Sequence, residues 1–438
     1  MGKRTNSSLI HKQYSTYFTR YAYPIEYLGK YPVAEKLRLL ITIPCYNEPD
    51  LTRTLEGLYA CRPTSNPVEI IVLINQSVNV SKTVSRQNEY SYKEAVKWAE
   101  DHNTLSRKFH IIFVKDIPNR HFGVGLARKI VMDEAVRRLV KTSTGEGIIA
   151  GLDADSLIDG NYLFEIEQFF HQNPYTNGTT IYFEHPLYSG NNKILQLGIA
   201  SYELHLRYLI QALRHTCFPY AFHTLGSSMA IRASVYVKQG GMNKRKAGED
   251  FHFLHKIIPL GNFGEINRTR VIPSGRISDR VPFGTGKAMM KWSDSKFNEF
   301  RTYNPLIFEE LHTLLSGIDE LFTDEHRDVE DYYQNLSGTL KKFLKKKDWM
   351  EKIAGFRRQS ASVRTFRYKF FQWMNGLNIL KYVHFARDKK YRNVPVLEAY
   401  TWLRTKIKIA GLKPENVFDA LSELRSYEKS HPHYYTNQ

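Results

Sequence analysis

Apolar residues crowd into four short runs in the first third of the chain: 37–44 (LRLLITIP), 68–75 (VEIIVLIN), 109–115 (FHIIFVK) and 147–153 (GIIAGLD). Runs of this length rich in Ile and Val predict strands buried on both faces. The intervening segments read as helices. Asp50 is placed to N-cap LTRTLEGLYA, residues 90–101 suit an amphipathic helix, and a polar loop with Gly123 and Gly125 opens a helix over 125–140. Strand–helix alternation predicts a parallel sheet covered on both faces. Ligands of such sheets bind outside the carboxyl ends of the strands. Pro44–Asn47, Asn75, the 119–128 loop and Asp153–Asp155 are therefore expected at one edge.

After residue 156 the pattern loosens. Strands are expected at 180–184 (TIYFE), 228–232 (SMAIR) and 269–273 (TRVIP), and helices at 194–214 and 249–257. A Gly/Pro/Arg-rich segment, Ser274–Gly286, follows, and from about residue 295 the chain reads as helical, aromatic and basic. The expected organisation is an N-terminal extension (1–35), an α/β domain (36–293) and a basic, mainly helical region (294–438), with no fixed-period repeat.

Composition narrows the classes. At 42% hydrophobic and 13% aromatic residues the 438-residue chain can bury a large core, which excludes wholesale disorder. Cys45, Cys61 and Cys217 are too few and too scattered for a disulfide framework or a Cys-x-x-Cys zinc site, so a reducing, cytoplasmic compartment is expected. The basic, Tyr-rich N-terminus lacks the apolar run of a signal peptide, and no run approaches the length needed to span a membrane. The net charge is +18, and Lys341–Ala410 alone carries 19 Lys and Arg against 4 Asp and Glu. Such a segment seeks anionic partners: a lipid headgroup, a polyprenyl phosphate, an acidic glycan or nucleic acid. Its lysines interleave with Trp349, Tyr368, Phe370, Phe371 and Trp373. That mixture suits the inner face of a membrane or single-stranded nucleic acid, and equally a helical subdomain with a solvated positive face.

Asp153 and Asp155 stand two apart after an apolar strand. Carboxylates in this position suit Mg²⁺ or Mn²⁺ held jointly with substrate phosphates. The bland alternative is that Asp155 caps a helix beginning near Ser156.

Four segments in order resemble the inverting GT-A glycosyltransferases of family 2. Ile43-Pro44-Cys45-Tyr46-Asn47-Glu48 resembles the opening IPxYNE motif, and Gly125-Leu126-Ala127-Arg128-Lys129 resembles the GxxxARN segment. Gly151-Leu152-Asp153-Ala154-Asp155-Ser156 is similar to the DxD metal motif, and Gly248-Glu249-Asp250 to the ED motif. The resemblance covers roughly residues 36–290. It implies a GT-A α/β fold with a mostly parallel sheet and a metal-dependent inverting transfer from a nucleotide sugar, UDP- or GDP-linked. The acceptor would be a hydroxyl of a glycan or a lipid-linked saccharide. By the same resemblance Asp250 is the catalytic base, and Asp153 and Asp155 hold Mn²⁺ or Mg²⁺. Pro44, Tyr46, Asn47, Glu48, Asn75, Gly125, Arg128, Asp153 and Ala154 would line the nucleotide sugar, with Glu249, Gly226 and Ser227 near the acceptor.

Two departures qualify the match. Asn75 stands where the family carries a base-reading aspartate, and the Gln-x-x-Arg-Trp of processive synthases is absent. Downstream, SGRISDRVPFGTGK (274–287) offers Arg276, Arg280 and Lys287 for a diphosphate, although its spacing is not that of a Walker loop. His205, His223, His252 and His255 receive no role. A sugar-phosphate nucleotidyltransferase, with a similar sheet, would need a Gly-rich loop where Pro44–Asn47 stands. A non-catalytic protein binding membrane or nucleic acid would leave the four strand-end loops unexplained.

Overall fold

The computed structural model describes residues 12–142, 146–187, 192–276, 284–294, 299–323 and 329–436. The chain divides into two compact units, one of Met1–Pro186, Thr224–Lys287 and Glu428–Gln438, the other of Leu187–His223 and Ala288–Tyr427. The division is not linear. It differs from boundaries at 35/36 and 293/294 because the N-terminal segment packs into the sheet unit, and because a long helix inside the α/β half belongs with the C-terminal helices.

In the sheet unit, helix α1 (12–20) precedes strand β1 (Leu39–Cys45). Helix α2 (Leu51–Tyr59), strand β2 (Val68–Ser77), helix α3 (Lys82–His102) and strand β3 (Arg107–Ile117) follow. Then come α4 (Val124–Val140), β4 (Ile148–Gly151), β5 (Leu157–Ile158), α5 (Tyr162–Gln172) and β6 (Gly178–Phe183). The helical unit takes α6 (Lys193–His215), after which β7 (Met229–Arg232), α7 (Ala233–Lys238), α8 (Glu249–Ile257) and β8 (Phe263–Ile272) complete most of the sheet.

The expected strands are present, and all residues of β2 and β4 are buried, as two-sided burial requires. β1 pairs in parallel with β2 and β4, and β2 with β3, so their carboxyl ends share one edge. The sheet order runs β8-β6-β7-β4-β1-β2-β3. The chain steps outward from β1 to β3 and then returns to β4 on the other side of β1. Right-handed crossovers therefore put α2 and α3 on one face and α4 on the other. Beyond β4 the sheet becomes mixed, because β7 pairs antiparallel with both β4 and β6.

Residues 17–32 are tied down by buried polar bonds. Asp133 of α4, fully buried, accepts from the Tyr17 hydroxyl at 2.5 Å, the Tyr236 hydroxyl at 2.7 Å and the Tyr23 amide at 2.7 Å, and pairs with Lys129 at 3.0 Å. Arg138 likewise donates to Glu69 at 2.7 Å and to the Pro32 carbonyl at 2.9 Å.

Three local expectations need correction. α3 starts at Lys82 rather than near 90, with Ser81 accepting from the Val84 amide as its N-cap. Asp50 occupies the N-cap position of α2 but makes no side-chain cap; its own amide donates to Glu48 Oε1 at 3.1 Å. No helix begins at Ser156. A turn closed by Ser156 N–H to the Asp153 carbonyl at 3.1 Å leads into β5, and the next helix begins at Tyr162. Asp155 is not a helix cap.

In the helical unit α6 is followed by α9 (Thr285–Asp294), β9 (Arg301–Thr302), α10 (Pro305–Leu315), α11 (Glu320–Thr323), α12 (Val329–Gln334), α13 (Gly338–Leu344) and α14 (Lys346–Arg358). α15 (Val363–Trp373), α16 (Gly376–Lys389), β10 (Val394–Pro395), α17 (Val396–Lys406) and α18 (Val417–Ser430) complete it, and β11 (Tyr434–Tyr435) returns to pair with β8. Most of the aromatics named in the basic region turn inward, while Tyr368 is exposed: Trp349 is fully buried, stacked on Tyr332 at 5.9 Å and edge-on to Phe370 at 6.4 Å. The exposed side chains nearby include Lys342, Lys345, Lys346, Lys347 and Lys352, with Asp348 and Glu351 among them.

Candidate functional site

Two arginines organise the carboxyl edge. Arg128, on the first turns of α4, is 4% exposed and uses three guanidinium nitrogens on three partners. Nη2 donates to Asp153 Oδ1 at 2.6 Å, Nε to Glu249 Oε1 at 3.0 Å and Nη1 to the Gly226 carbonyl at 3.0 Å. The amide of Gly226 in turn donates to Asp250 Oδ2 at 3.0 Å, and Asp250 Oδ1 accepts from the Phe251 amide at 2.7 Å. The ends of β4 and α8 thus meet through one guanidinium and one glycine. The close approach excludes a side chain, since a Cβ on Gly226 would lie 2.5 Å from the Arg128 guanidinium carbon.

Arg276, past the end of β8, makes the second bracket. It clasps Glu48, which is 1% exposed, and donates to Asp155 Oδ2 at 3.2 Å. Each carboxylate of Asp153-Ala154-Asp155 is therefore joined by an arginine to a buried glutamate. Ala154 anchors the turn between them, its carbonyl accepting from Thr54 Oγ1 at 2.8 Å. Five carboxylates (Glu48, Asp153, Asp155, Glu249, Asp250) face two guanidinium groups, an excess of negative charge.

Burial pushes the carboxyls of Asp250 and Glu249 above the ordinary carboxylate range, and the Arg128 charge opposes the shift. Burial disfavours the Arg128 cation, but Asp153, Glu249 and Asp250 overcome it and hold the guanidinium firmly charged. His255 is pushed down to about 4 by burial and the nearby His252, so it is neutral at physiological pH.

Beside this cluster, β1 ends at Cys45 opposite Ile74 of β2, which runs on to Ser77. Tyr46 meets Phe122 edge-on at 5.0 Å, and both rings are half-buried. Asn47, at φ 51°, donates its amide to Asn88 Oδ1 at 2.8 Å. Asn88 donates to Gln76 Oε1 at 3.2 Å, Gln76 to Ser85 at 3.3 Å, and Ser91 to the Glu48 carbonyl at 2.6 Å. Glu69 of β2 accepts from Arg138 of α4, and the unbroken register from Val68 to Asn75 puts Asn75, 3% exposed, on that same α4 face. The amide of Gly125 donates to the Arg245 carbonyl at 3.2 Å, docking the start of α4.

The structure therefore brings together Glu48, Arg128, Asp153, Asp155, Gly226, Glu249, Asp250 and Arg276. Pro44 lies half-buried on β1, Ser227 is buried next to Gly226, and Lys287 stands on the first turn of α9. Arg280 lies outside the described residues. Sequence reasoning missed Ser85, Asn88 and Ser91, although their spacing of three along α3 is a polar stripe on one helix face.

Among the described residues no group of three or more His, Cys, Asp or Glu side chains can hold a metal by itself. The oxygen-only pair Asp153 and Asp155 fits a hard divalent cation whose remaining ligands come from substrate phosphates and water. It does not fit a closed structural zinc site.

No family model matches the chain, and no curated protein matches it. Among solved structures it is similar to Staphylococcus aureus TarS 1–349 in complex with UDP-GlcNAc, at 13% identity over 90% of this chain and 92% of that one, with a TM-score of 0.35. It is also similar to the mannosyltransferase PcManGT from Pyrobaculum calidifontis in complex with GDP-Man and Mn²⁺, at 13% identity, 97% and 95% coverage, and a TM-score of 0.33.

Proposed function

We propose that the chain is an inverting, metal-dependent glycosyltransferase of GT-A, family 2 type, moving a sugar from a UDP- or GDP-linked donor to a hydroxyl of a glycan or lipid-linked acceptor. The observation that carries the reading is the Arg128 bridge, which joins Asp153 past the end of β4 directly to Glu249 and, through Gly226, to Asp250 at the start of α8. An in-line displacement with inversion needs a base for the attacking hydroxyl and positive charge at the leaving diphosphate, and a carboxylate on that second side serves by holding a cation.

Asp153 and Asp155 would hold Mn²⁺ or Mg²⁺, which when bound neutralises charge on the departing diphosphate. Asp250 takes the proton of the acceptor hydroxyl. Its raised proton affinity suits that task, because a carboxylate above its ordinary range is a stronger base. Glu249 is spent on Arg128 and keeps the charge balance of the pair. The half-exposed Tyr46–Phe122 pair and the Asn75 amide form the side on which a nucleobase would lie.

No helix among the described residues is long and apolar enough to cross a membrane. The exposed lysines around Lys342–Lys347, with Trp349, Phe370 and Phe371 buried and Tyr368 the one exposed ring among the aromatics named above, support contact with an anionic membrane surface over base stacking on single-stranded nucleic acid.

The test is thermal stabilisation by UDP and GDP with and without Mn²⁺. A ligand at 100 times its Kd stabilises by about 2.7 kcal/mol. Stabilisation should require the metal and vanish in Asp153→Asn and Asp155→Asn. Asp250→Asn should keep it and lose turnover. Nucleotide binding indifferent to a chelator would overturn the reading.

A further inference from the structure

Arg128 falls within a segment expected to touch the nucleotide, yet its environment is that of a bracket. Its side chain is nearly inaccessible, and Nε, Nη1 and Nη2 each have a protein partner at 2.6–3.0 Å. The partners belong to both sides of the site: Asp153 on the leaving-group side, Glu249 and the Gly226 peptide on the base side. Gly226 is the shared residue, because its carbonyl accepts from Arg128 while its amide donates to Asp250. Only the two torsions of Gly226 separate those groups, and Glu249, the chain neighbour of Asp250, accepts from the same guanidinium, so the base is tied to Arg128 by two short routes.

We propose that Arg128 is a positioning residue that acts on Asp250 through its bonds to Gly226 and Glu249, coupling the orientation of the base to the Asp153 carboxylate, and does not itself bind the nucleotide. The inference rests on the glycosyl-transfer reading of the site. Its consequence is a division of effects: a lysine at position 128 can keep the single ion pair to Asp153 on the nucleotide side, while the base side loses its directed bonds to Gly226 and Glu249. Lysine keeps the charge but supplies a point charge where three directed bonds are needed.

The step that reads this out is hydrolysis of a nucleotide sugar. Water attacks the anomeric carbon, its proton passes to Asp250, the bond from that carbon to the diphosphate oxygen breaks, and the nucleoside diphosphate leaves. The experiment measures UDP and GDP affinity by calorimetry in Mn²⁺, and kcat for hydrolysis of the UDP- or GDP-sugar that the wild-type chain turns over, in wild type, Arg128→Lys, Gly226→Ala and Asp250→Asn. Arg128→Lys should keep the nucleotide Kd within about threefold and lower kcat by about 100-fold, the lower end of what general-base catalysis supplies. Gly226→Ala leaves the charges intact but forces the peptide and guanidinium apart, and should show the same split; it carries the test if Arg128→Lys does not fold. A Kd that weakens as much as kcat falls, or an unchanged kcat, overturns the proposal. If Asp250→Asn abolishes turnover while both other variants keep it, only the coupling fails. Full turnover in Asp250→Asn, or none of any UDP- or GDP-sugar in wild type, overturns the parent reading as well.

Discussion

Arg276 donates to Asp155 Oδ2 at 3.2 Å through a guanidinium that also clasps Glu48. Glu48 is 1% exposed, whereas Arg276 is one-third exposed, so the arginine can be reached from solvent but the glutamate cannot. Removing the arginine leaves a buried charge short of its main counter-ion, which is costlier than removing both partners. Arg276→Gln should destabilise the fold by roughly 1–3 kcal/mol and weaken Mn²⁺-dependent nucleotide binding. Adding Glu48→Gln should restore most of the stability and none of the binding, because Asp155 still lacks its bracket. Denaturant titration and calorimetry of the single and double variants test the two effects separately.

Gly125 and Gly355 give opposite expectations for the same substitution. A Cβ on Gly125 would lie 2.2 Å from the Arg245 carbonyl oxygen and 3.0 Å from the Asn243 carbonyl oxygen, both backbone atoms that cannot rotate away. Gly125→Ala should cost about 1–3 kcal/mol as an overpacked contact. Gly355 lies inside α14 with nothing within 4 Å of its virtual Cβ. Gly355→Ala should stabilise by about 0.5–1 kcal/mol, the ordinary helix preference. Urea unfolding followed by circular dichroism reads both, and equal effects would show that the Arg245 contact is not tight.

The parallel core was legible because continuous apolar runs report burial on both faces, and a run that stops marks a strand end. Asp153 and Asp155 at the end of β4, and Asn47 at the end of β1, could be placed on one edge before any contact was known. The brackets could not. Glu48 and Arg276 are 228 residues apart, and nothing in either segment names the other. The start of α3 was hidden because its first turn, Lys82–Ser85, has no apolar period, and a serine cap does that work instead. Asp155 looked like a helix cap because Ser156 and the following residues suit a helix start, but pairing of Leu157 with Ile272 holds the segment extended. The aromatics of 341–410 were equally consistent with an exposed stacking face. Periodicity alone does not say which side of a helix meets another helix.

Asn75 sets a further expectation, about the base. Its side chain is 3% exposed on the face shared with the start of α4, next to the strand end that bears Tyr46. An amide offers one donor and one acceptor, which match adjacent O4 and N3–H positions on uracil as well as O6 and N1–H on guanine. A carboxylate offers acceptors only, and matches the N1–H and N2–H₂ pair of guanine in a bidentate fashion. Asn75→Asp should therefore shift the UDP-to-GDP affinity ratio toward GDP by about tenfold, within the roughly 1–3 kcal/mol of a bidentate base contact. Competition binding of the two nucleotides to wild type and variant reads the ratio, and an unchanged ratio would remove Asn75 from the base site.

His205 and His255 should make the fold sensitive to mild acid. Burial pushes both down to about 4 from the ordinary 6.5. His205 bonds the Thr302 hydroxyl at 2.6 Å, and the Nδ1 of His255 has no partner and its ring lies 4.3 Å from that of Phe251. The folded chain resists protonating them, whereas the unfolded chain takes up the protons at the ordinary value. The stabilising neutral state is fully present above pH 6.5 and is lost as pH falls from 6.5 toward 4. Over that window each histidine contributes a slope of about 1.4 kcal/mol per pH unit. Other groups titrate in the same range, so the informative quantity is the difference between wild type and a variant. His255→Phe keeps an apolar ring of similar size, and should flatten the stability profile between pH 6.5 and 4 while changing it little at pH 8. Calorimetric melts at half-unit pH steps measure this, and parallel profiles for wild type and His255→Phe would show that His255 is protonated as readily in the folded chain as in the unfolded one.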